Sequence, residues 1–429
     1  MKLKNSIQVA VVATLLGSFS HAHAAGFALI EQSGSGMGNA YAGAAAIAED
    51  ASTIFFNPAG MTYIEGTQIV GALHLINPNA DFNNKGSIAG SLRPLGDEGP
   101  DAGDLAFVPN FYYKRDISEN LKFGLGVFSP FGLKTEYDKN WMGRFQAVKS
   151  DMKTININPA LAFKVNDQLS LGVGISAMWI QAELTSAVNF RHPILPVSFG
   201  EGYTKVKGDD WGFGFNLGAI YQITPDSRIG LAYRSKVNQH LDGDVKFKHP
   251  AGLPAPFVAA TPNGDVTADV TLPESFSMSA FSKVNDSWDV MGDVTWTRWS
   301  RFKELAVYRD NGALLTSTPE NWENTMRYSL GVNYHYSDKL KLRAGLAYDE
   351  EAINSQYRTA RIPGNDRKWL ALGAGWQASA NTKFDVGYAH LFISDAKIDD
   401  NQLTTAKGRL TGDYEGSVDI LSLQLTHNF

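Results

Sequence analysis

From Gly66 to the last residue, apolar and polar side chains alternate with a period of two. Leu340, Leu342, Ala344, Leu346 and Tyr348 interleave with Lys341, Arg343, Gly345, Ala347 and Asp349. Met326, Tyr328, Leu330, Val332, Tyr334 and Tyr336 do the same with Arg327, Ser329, Gly331, Asn333 and His335. The rhythm recurs over residues 169–176 and 228–234. Successive side chains of a strand point to opposite faces, so this is the pattern of strands with one apolar and one wet face. A soluble β-sandwich would alternate as well.

Three features favour a membrane barrel. Short polar turns at Ser118-Glu119-Asn120, Asn166-Asp167-Gln168, Pro225-Asp226-Ser227, Asn285-Asp286-Ser287, Ser337-Asp338-Lys339 and residues 379–382 are separated by longer, variable connections. Short turns at one end and long loops at the other is the outer-membrane plan. Aromatic residues gather near expected strand ends, as at Tyr112-Tyr113, Tyr334 with Tyr336, and Trp296 with Trp299, which suits interfacial girdles. The chain ends "LSLQLTHNF", with Leu421, Leu423, Leu425 and Phe429 on one face, similar to an outer-membrane assembly signal. Six turns pair twelve strands. One strand precedes them over residues 66–76, and one follows from about Thr411. The expectation is 14 antiparallel strands with both ends in the periplasm, closed so that no edge is left unpaired.

The chain before Gly66 reads differently. Residues 1–24 have the form of a signal peptide: Lys2 and Lys4, an apolar stretch over 7–19, and Ala22-His23-Ala24 as a cleavage site, so that the mature chain starts at Ala25. His21 and His23 leave with it. Residues 25–65 are rich in Gly and Ala and carry the apolar knot Ile54, Phe55 and Phe56 before Asn57-Pro58-Ala59-Gly60. That is poor material for a disordered tail. A barrel of about 14 strands is too wide for its own side chains to fill, so the segment is expected to plug residues 66–429 as a small helical hatch.

Composition adds exclusions. The 429 residues contain no Cys, so no disulfide framework holds this exported chain. Net charge is −6 with scattered Lys and Arg, which gives no footprint for nucleic acid. No metal-ligand cluster, phosphate loop or catalytic constellation stands out. Ser329 and His335 share the inward face but lie about 20 Å apart by strand rise. Neither enzyme nor cofactor is expected, and an open porin would need no plug.

The whole mature chain resembles the FadL-type outer-membrane transporters of long-chain fatty acids and aromatic hydrocarbons. The likeness rests on "AGFALIEQSGSGMGNAYAGAAAIAEDAS" and "NPAG" in the hatch, and on "SPFGLKTEYDKNWMGRFQA", "LPESFSMSAF", "WTRWSRFKEL" and "RIPGNDRKWLALG" in the barrel. It implies a 14-stranded barrel in a Gram-negative outer membrane. It also implies capture of an apolar ligand outside the cell, rearrangement of the hatch around Phe55, Phe56, Asn57, Pro58 and Ala59, and lateral exit into the membrane. Expected partners are hydrophobic small molecules, outer-membrane lipids and lipopolysaccharide, with the chain a monomer.

Two loops are unusually apolar: Phe190, Ile194, Leu195, Val197 and Phe199 in one, Leu253, Phe257 and Val258 in the other. Exposed apolar patches mark binding sites, although the loops could instead pack on each other. Ser129, Pro130, Phe131 and Gly132 interrupt a regular strand, either ending it or kinking it to open a lateral window. Arg144, Arg298, Arg301, Arg361 and Arg367 lie in the family-like motifs and are candidates to meet a carboxylate. Fatty acid and neutral aromatic hydrocarbon remain open alternatives.

Overall fold

The computed structural model describes residues 26–99, 101–400 and 406–429. The expected signal peptide and cleavage site lie outside these residues. Fourteen strands form one closed antiparallel barrel. They are β1 Gln68–Asn84, β2 Ala106–Asp116, β3 Leu121–Phe128 continued by Gly132–Glu136, β4 Lys149–Lys164, β5 Leu169–Arg191, β6 Ser198–Thr224 and β7 Ser227–Arg234 continued by Val237–Lys248. The circuit goes on with β8 Gly264–Leu272 continued by Ser275–Lys283, β9 Trp288–Thr297 continued by Glu304–Arg309, and β10 Leu314–Pro319 continued by Thr325–Ser337. It ends with β11 Leu340–Asp349, β12 Arg367–Gln377, β13 Thr382–Ile393 continued by Ala396–Asp400, and β14 Leu410–Asn428. The last strand pairs with the first from Gln68↔Asn428 to Asn84↔Gly412, which closes the wall.

All six short turns fall where the polar triplets place them, each joining a pair of neighbouring strands. Their side chains explain why. Asn166 Oδ1 accepts from the N–H groups of Gln168 and Leu169, and Asn285 Oδ1 from those of Ser287 and Trp288. Such Asx turns reverse the chain locally. The first strand runs eight residues past the expected Ile76. Polar Asn77, Pro78 and Asn79 hide this extension from a pattern reading. Beyond Ile76↔Ala106 the strand pairs only with β14, so Pro78 sits where one side of β1 has no ladder to break.

The alternation is inside-out. Leu342, Leu346, Leu370, Leu372, Leu421 and Leu423 point outward and are exposed on the isolated chain, whereas Arg343, Asp385, Asn333, Ser329 and Gln424 point inward and are buried. An apolar belt facing lipid accounts for the first set. Trp288, Tyr336, Trp376 and Phe384 are exposed beside the short turns, as a periplasmic girdle. Two expected girdle residues are elsewhere: Tyr112 is fully buried on the inward face and Trp299 is in the core. Parity decides the first, since Tyr112 and Tyr113 necessarily face opposite ways. Trp299 follows the end of a β9 segment, in a short 3-10 turn.

Six of the fourteen strands are interrupted, and four of the gaps are in register. Arg234 pairs with Ser275, Ser275 with Thr297, and Thr297 with Thr325. Each is the last or first residue of a segment. The wall is continuous from this seam to the short turns; towards the long loops β7 to β10 are segmented, while β1, β4, β5, β6 and β14 run on unbroken.

Candidate functional site

Residues 26–64 lie in the lumen as single turns: α1 Gly34–Met37, α2 Ala44–Ile47, α3 Thr53–Phe56 and a 3-10 turn Pro58–Tyr63. Helices this short leave most backbone groups without internal partners. The inward polar face of the wall supplies them. Gly34 N–H donates to Gln424 Oε1 at 2.8 Å and Ala45 N–H to Ser279 Oγ at 3.0 Å. The carbonyls of Glu31, Gln32 and Ala46 accept from Asn110, Tyr112 and Arg228. Glu49 receives Arg343 at 2.7 Å, Lys383 at 2.8 Å and Lys341 at 3.0 Å, and Arg343 also meets Asp385 at 2.9 Å. Polar residues read as facing water therefore face the backbone of the chain's own beginning.

Asn57 is the tightest of these fastenings. It is fully buried. Its Nδ2 donates to Ala45 O at 2.7 Å within the hatch and to Ala219 O at 3.1 Å and Leu231 O at 3.2 Å on the wall. Its Oδ1 accepts from Ala59 N–H, capping the turn that Pro58 opens. The wall makes room with a residue that has no side chain: a Cβ on Gly218 would stand 1.9 Å from Asn57 Oδ1.

Residues 129–131 break β3 without ending it. The strand resumes at Gly132–Glu136, paired with β4. The β2–β3 ladder stops at Phe111↔Val127, while β2 continues to Ala106 with β1 as its partner. The start of the hatch takes up the freed backbone groups. Leu29 N–H donates to Pro130 O at 2.9 Å, and Gly132 N–H donates to Phe27 O at 3.0 Å. Gln32 Nε2 donates to Ser129 O at 2.9 Å. Phe27 also packs edge-on against Phe131, Trp299 and Phe302.

A cavity of about 140 Å³ lies where these parts meet. Its lining includes Phe55, Phe56 and Pro58 from the hatch, Pro130 and Phe131 from the break, and Arg367 from β12. Two motifs and one arginine separated by up to 312 positions in the chain thus share one site.

The chain matches the family described as outer membrane protein transport protein (OMPP1/FadL/TodX) over residues 15–429. It is 31% identical to a long-chain fatty acid transport protein of Escherichia coli, over 92% of each chain. It is 33% identical to outer membrane protein P1 of Haemophilus influenzae, over 91% of this chain and 90% of the relative. The crystal structure of a Pseudomonas aeruginosa FadL homologue superposes with a TM-score of 0.87 at 26% identity, covering 94% of this chain and all of that one. The chain belongs to this family. It is accordingly a transport protein of a Gram-negative outer membrane, and the 14-stranded barrel is the family's fold.

Within this FadL-type barrel the two apolar loops do meet. Phe199 and Phe257 pack with ring centroids 4.7 Å apart, and His192 lies against Phe257. Leu253 is half-buried. The contact leaves much apolar surface open: Ile194 is 86% exposed, and Leu195, Val197 and Val258 are exposed too. Phe190 is set apart, buried at the end of β5 beside His249.

Four of the five candidate arginines are engaged outside the cavity. Arg144 forms a two-point pair with Glu201 at 2.8 and 2.9 Å and donates to the carbonyls of Pro94 and Leu95. Arg301 and Arg298 share Glu274 at 2.7 and 3.2 Å. Arg361 donates to Gln146 O, Lys149 O and Ser150 Oγ, and burial pushes it down to about 10. Near it, in the break between the two segments of β10, burial lifts Glu320 to about 8 against a hydrogen bond from Trp322. Only Arg367 of the five reaches the cavity, where its Nη2 donates to Gly26 O at 3.1 Å. Two arginines outside the recognisable motifs, Arg234 and Arg327, line the same cavity. Their inward parity was visible in the alternation; that they stand level with the seam was not.

Proposed function

We propose that this protein takes up hydrophobic compounds, long-chain fatty acids foremost, from outside the cell into the outer membrane. Ligand lands on the apolar loop surface around Leu195 and Phe257, where burying exposed apolar area supplies the attraction. It moves into the cavity between hatch and wall. The hatch start at 27–29 withdraws from the break, Asn57, Pro58 and Ala59 shift with it, and cargo leaves sideways past Ser129–Gly132 without crossing water. The observation that carries this reading is the backbone pairing of residues 27–29 with 130–132, because the segment that fills the gap is also a wall of the cavity.

Lateral exit predicts dependence on that pairing. The chain has no Cys, so Ala28→Cys with Phe131→Cys introduces the sole pair, at positions already bridged in the sheet. Oxidation should stop uptake of labelled fatty acid by cells, and reduction should restore it. Wild-type uptake by fully cross-linked protein would refute the route. Uptake of aromatic hydrocarbon in place of fatty acid would keep the route and change the cargo.

A further inference from the structure

Three arginines line the cavity: Arg234, Arg327, which has Asp349 at 3.4 Å, and Arg367, which donates to Gly26 O. Elsewhere in the lumen Arg343 has Glu49 and Asp385, and Arg228 donates to Ala46 O. Arg234 has no carboxylate within 4.0 Å among the described residues, and its Nη1 has no hydrogen-bond partner. A buried cation lacking an anion is expensive unless something else supplies the charge. Two of the three acids in the same lining are already engaged: Asp349 holds Arg327 and accepts from Trp369, and Asp293 accepts from Thr295 and Ser279.

What Arg234 does touch is informative. Its guanidinium stands 4.5 Å from the Phe55 ring and 5.5 Å from the Phe128 ring, and its Nη2 donates to Phe55 O at 2.8 Å. Phe55 belongs to α3 of the hatch, and Phe128 is the last residue of β3 before the break. Arg234 is itself the last residue before the β7 interruption, where Ser235 Oγ accepts Phe215 N–H. One cation therefore bridges the hatch and the broken strand through cation–π contacts, which weaken when an anion takes the guanidinium.

We propose that Arg234 is the head-group receptor of the cavity, binding the carboxylate of a long-chain monocarboxylate and so selecting acids over uncharged hydrocarbons. This rests on the uptake reading given above. A carboxylate offers two acceptors to the planar fork that Arg234 presents, one of them for the unpartnered Nη1. The alkyl chain then runs along Phe55, Phe56 and Phe131. As the guanidinium turns to the ligand, its hold on Phe55 loosens, and recognition of the head group is felt at the hatch. The cavity falls short of the ~300–1,000 Å³ typical of small-molecule sites, so a whole long chain also needs the hatch to give way.

The test compares hexadecanoate with hexadecan-1-ol in equilibrium binding to full-length protein in detergent. Wild type should bind the acid at least about tenfold more tightly than the alcohol. Arg234→Gln should bring the acid-to-alcohol affinity ratio down to about one, whatever its effect on alcohol binding, and Arg234→Lys should restore part of the preference. Equal losses for acid and alcohol in Arg234→Gln would make the residue a structural prop and overturn the proposal. So would an acid preference that survives the substitution. The wild-type comparison stands even if the variants fail to fold, because equal affinity for acid and alcohol already refutes head-group reading. Binding of neither ligand by wild type would strike at the uptake reading itself.

Discussion

Gly218→Ala is a one-carbon test of how the hatch is held. The new Cβ would stand 1.9 Å from Asn57 Oδ1 and 2.9 Å from Pro58 Cδ, whereas ordinary contact begins near 3.4 Å. Asn57 must therefore retreat by about 1.5 Å, and Gly218 cannot, because β6 is laddered to β5 and β7 on both sides. A retreat of that size breaks the bonds from Asn57 Nδ2 to Ala219 O and Leu231 O. At about 0.5–1.5 kcal/mol each, the hatch loses about 1–3 kcal/mol of attachment. That shifts its docked-to-displaced equilibrium by about 5- to 150-fold. The assay is ion conductance across planar bilayers, where wild type should stay closed and Gly218→Ala should open in bursts. Asn57→Ala removes the same bonds without the clash and should behave alike. Combining the two should add little, since they act on one contact. A Gly218→Ala protein as closed as wild type, with undiminished hydrogen-exchange protection over residues 53–63, would refute the argument.

Two further outcomes follow from other parts of the molecule. Changing Leu195 and Phe257 to Ser should weaken uptake at low ligand concentration and leave the barrel heat-modifiable on gels, because both side chains lie outside the sheet; normal uptake would remove the loops from the route. Glu320 retains its proton up to about pH 8 against an ordinary value of 4.5, so the folded loop binds a proton that the unfolded chain releases, and its stability falls as pH rises between those values. Exchange protection of residues 302–323, corrected for intrinsic rates, should therefore decline from pH 6 to pH 9 in wild type and become flat in Glu320→Gln.

The barrel was legible in the sequence because its evidence is local. Turn triplets such as Asn166-Asp167-Gln168 act within four residues, and strand parity follows from backbone geometry alone. The hatch motif and the β3 break were legible for a related reason, since Asn57-Pro58 and Ser129-Pro130 both interrupt regular structure at fixed points. The cavity was not. It depends on which inward residues stand level with one another around the wall, and register is a property of pairs of strands. Arg144 and Arg234 show the difference. Both are arginines on sequence, yet one meets Glu201 from a strand more than fifty residues away and the other has no carboxylate within 4.0 Å among the described residues. Tyr112 shows a second limit: an aromatic near a strand end suits a lipid interface or a lumen equally well, and one step in parity decides.

The seam through Arg234, Ser275, Thr297 and Thr325 divides the cylinder mechanically. Below it, uninterrupted ladders make a stiff ring whose circumference is set by 14 strands at fixed spacing. Above it, β7 to β10 continue as short segments joined by bends, beside the unbroken strands β4, β5 and β6. On uptake of the kind proposed, strain at those four strands would be taken up by their bends, and the lower ring would keep its shape.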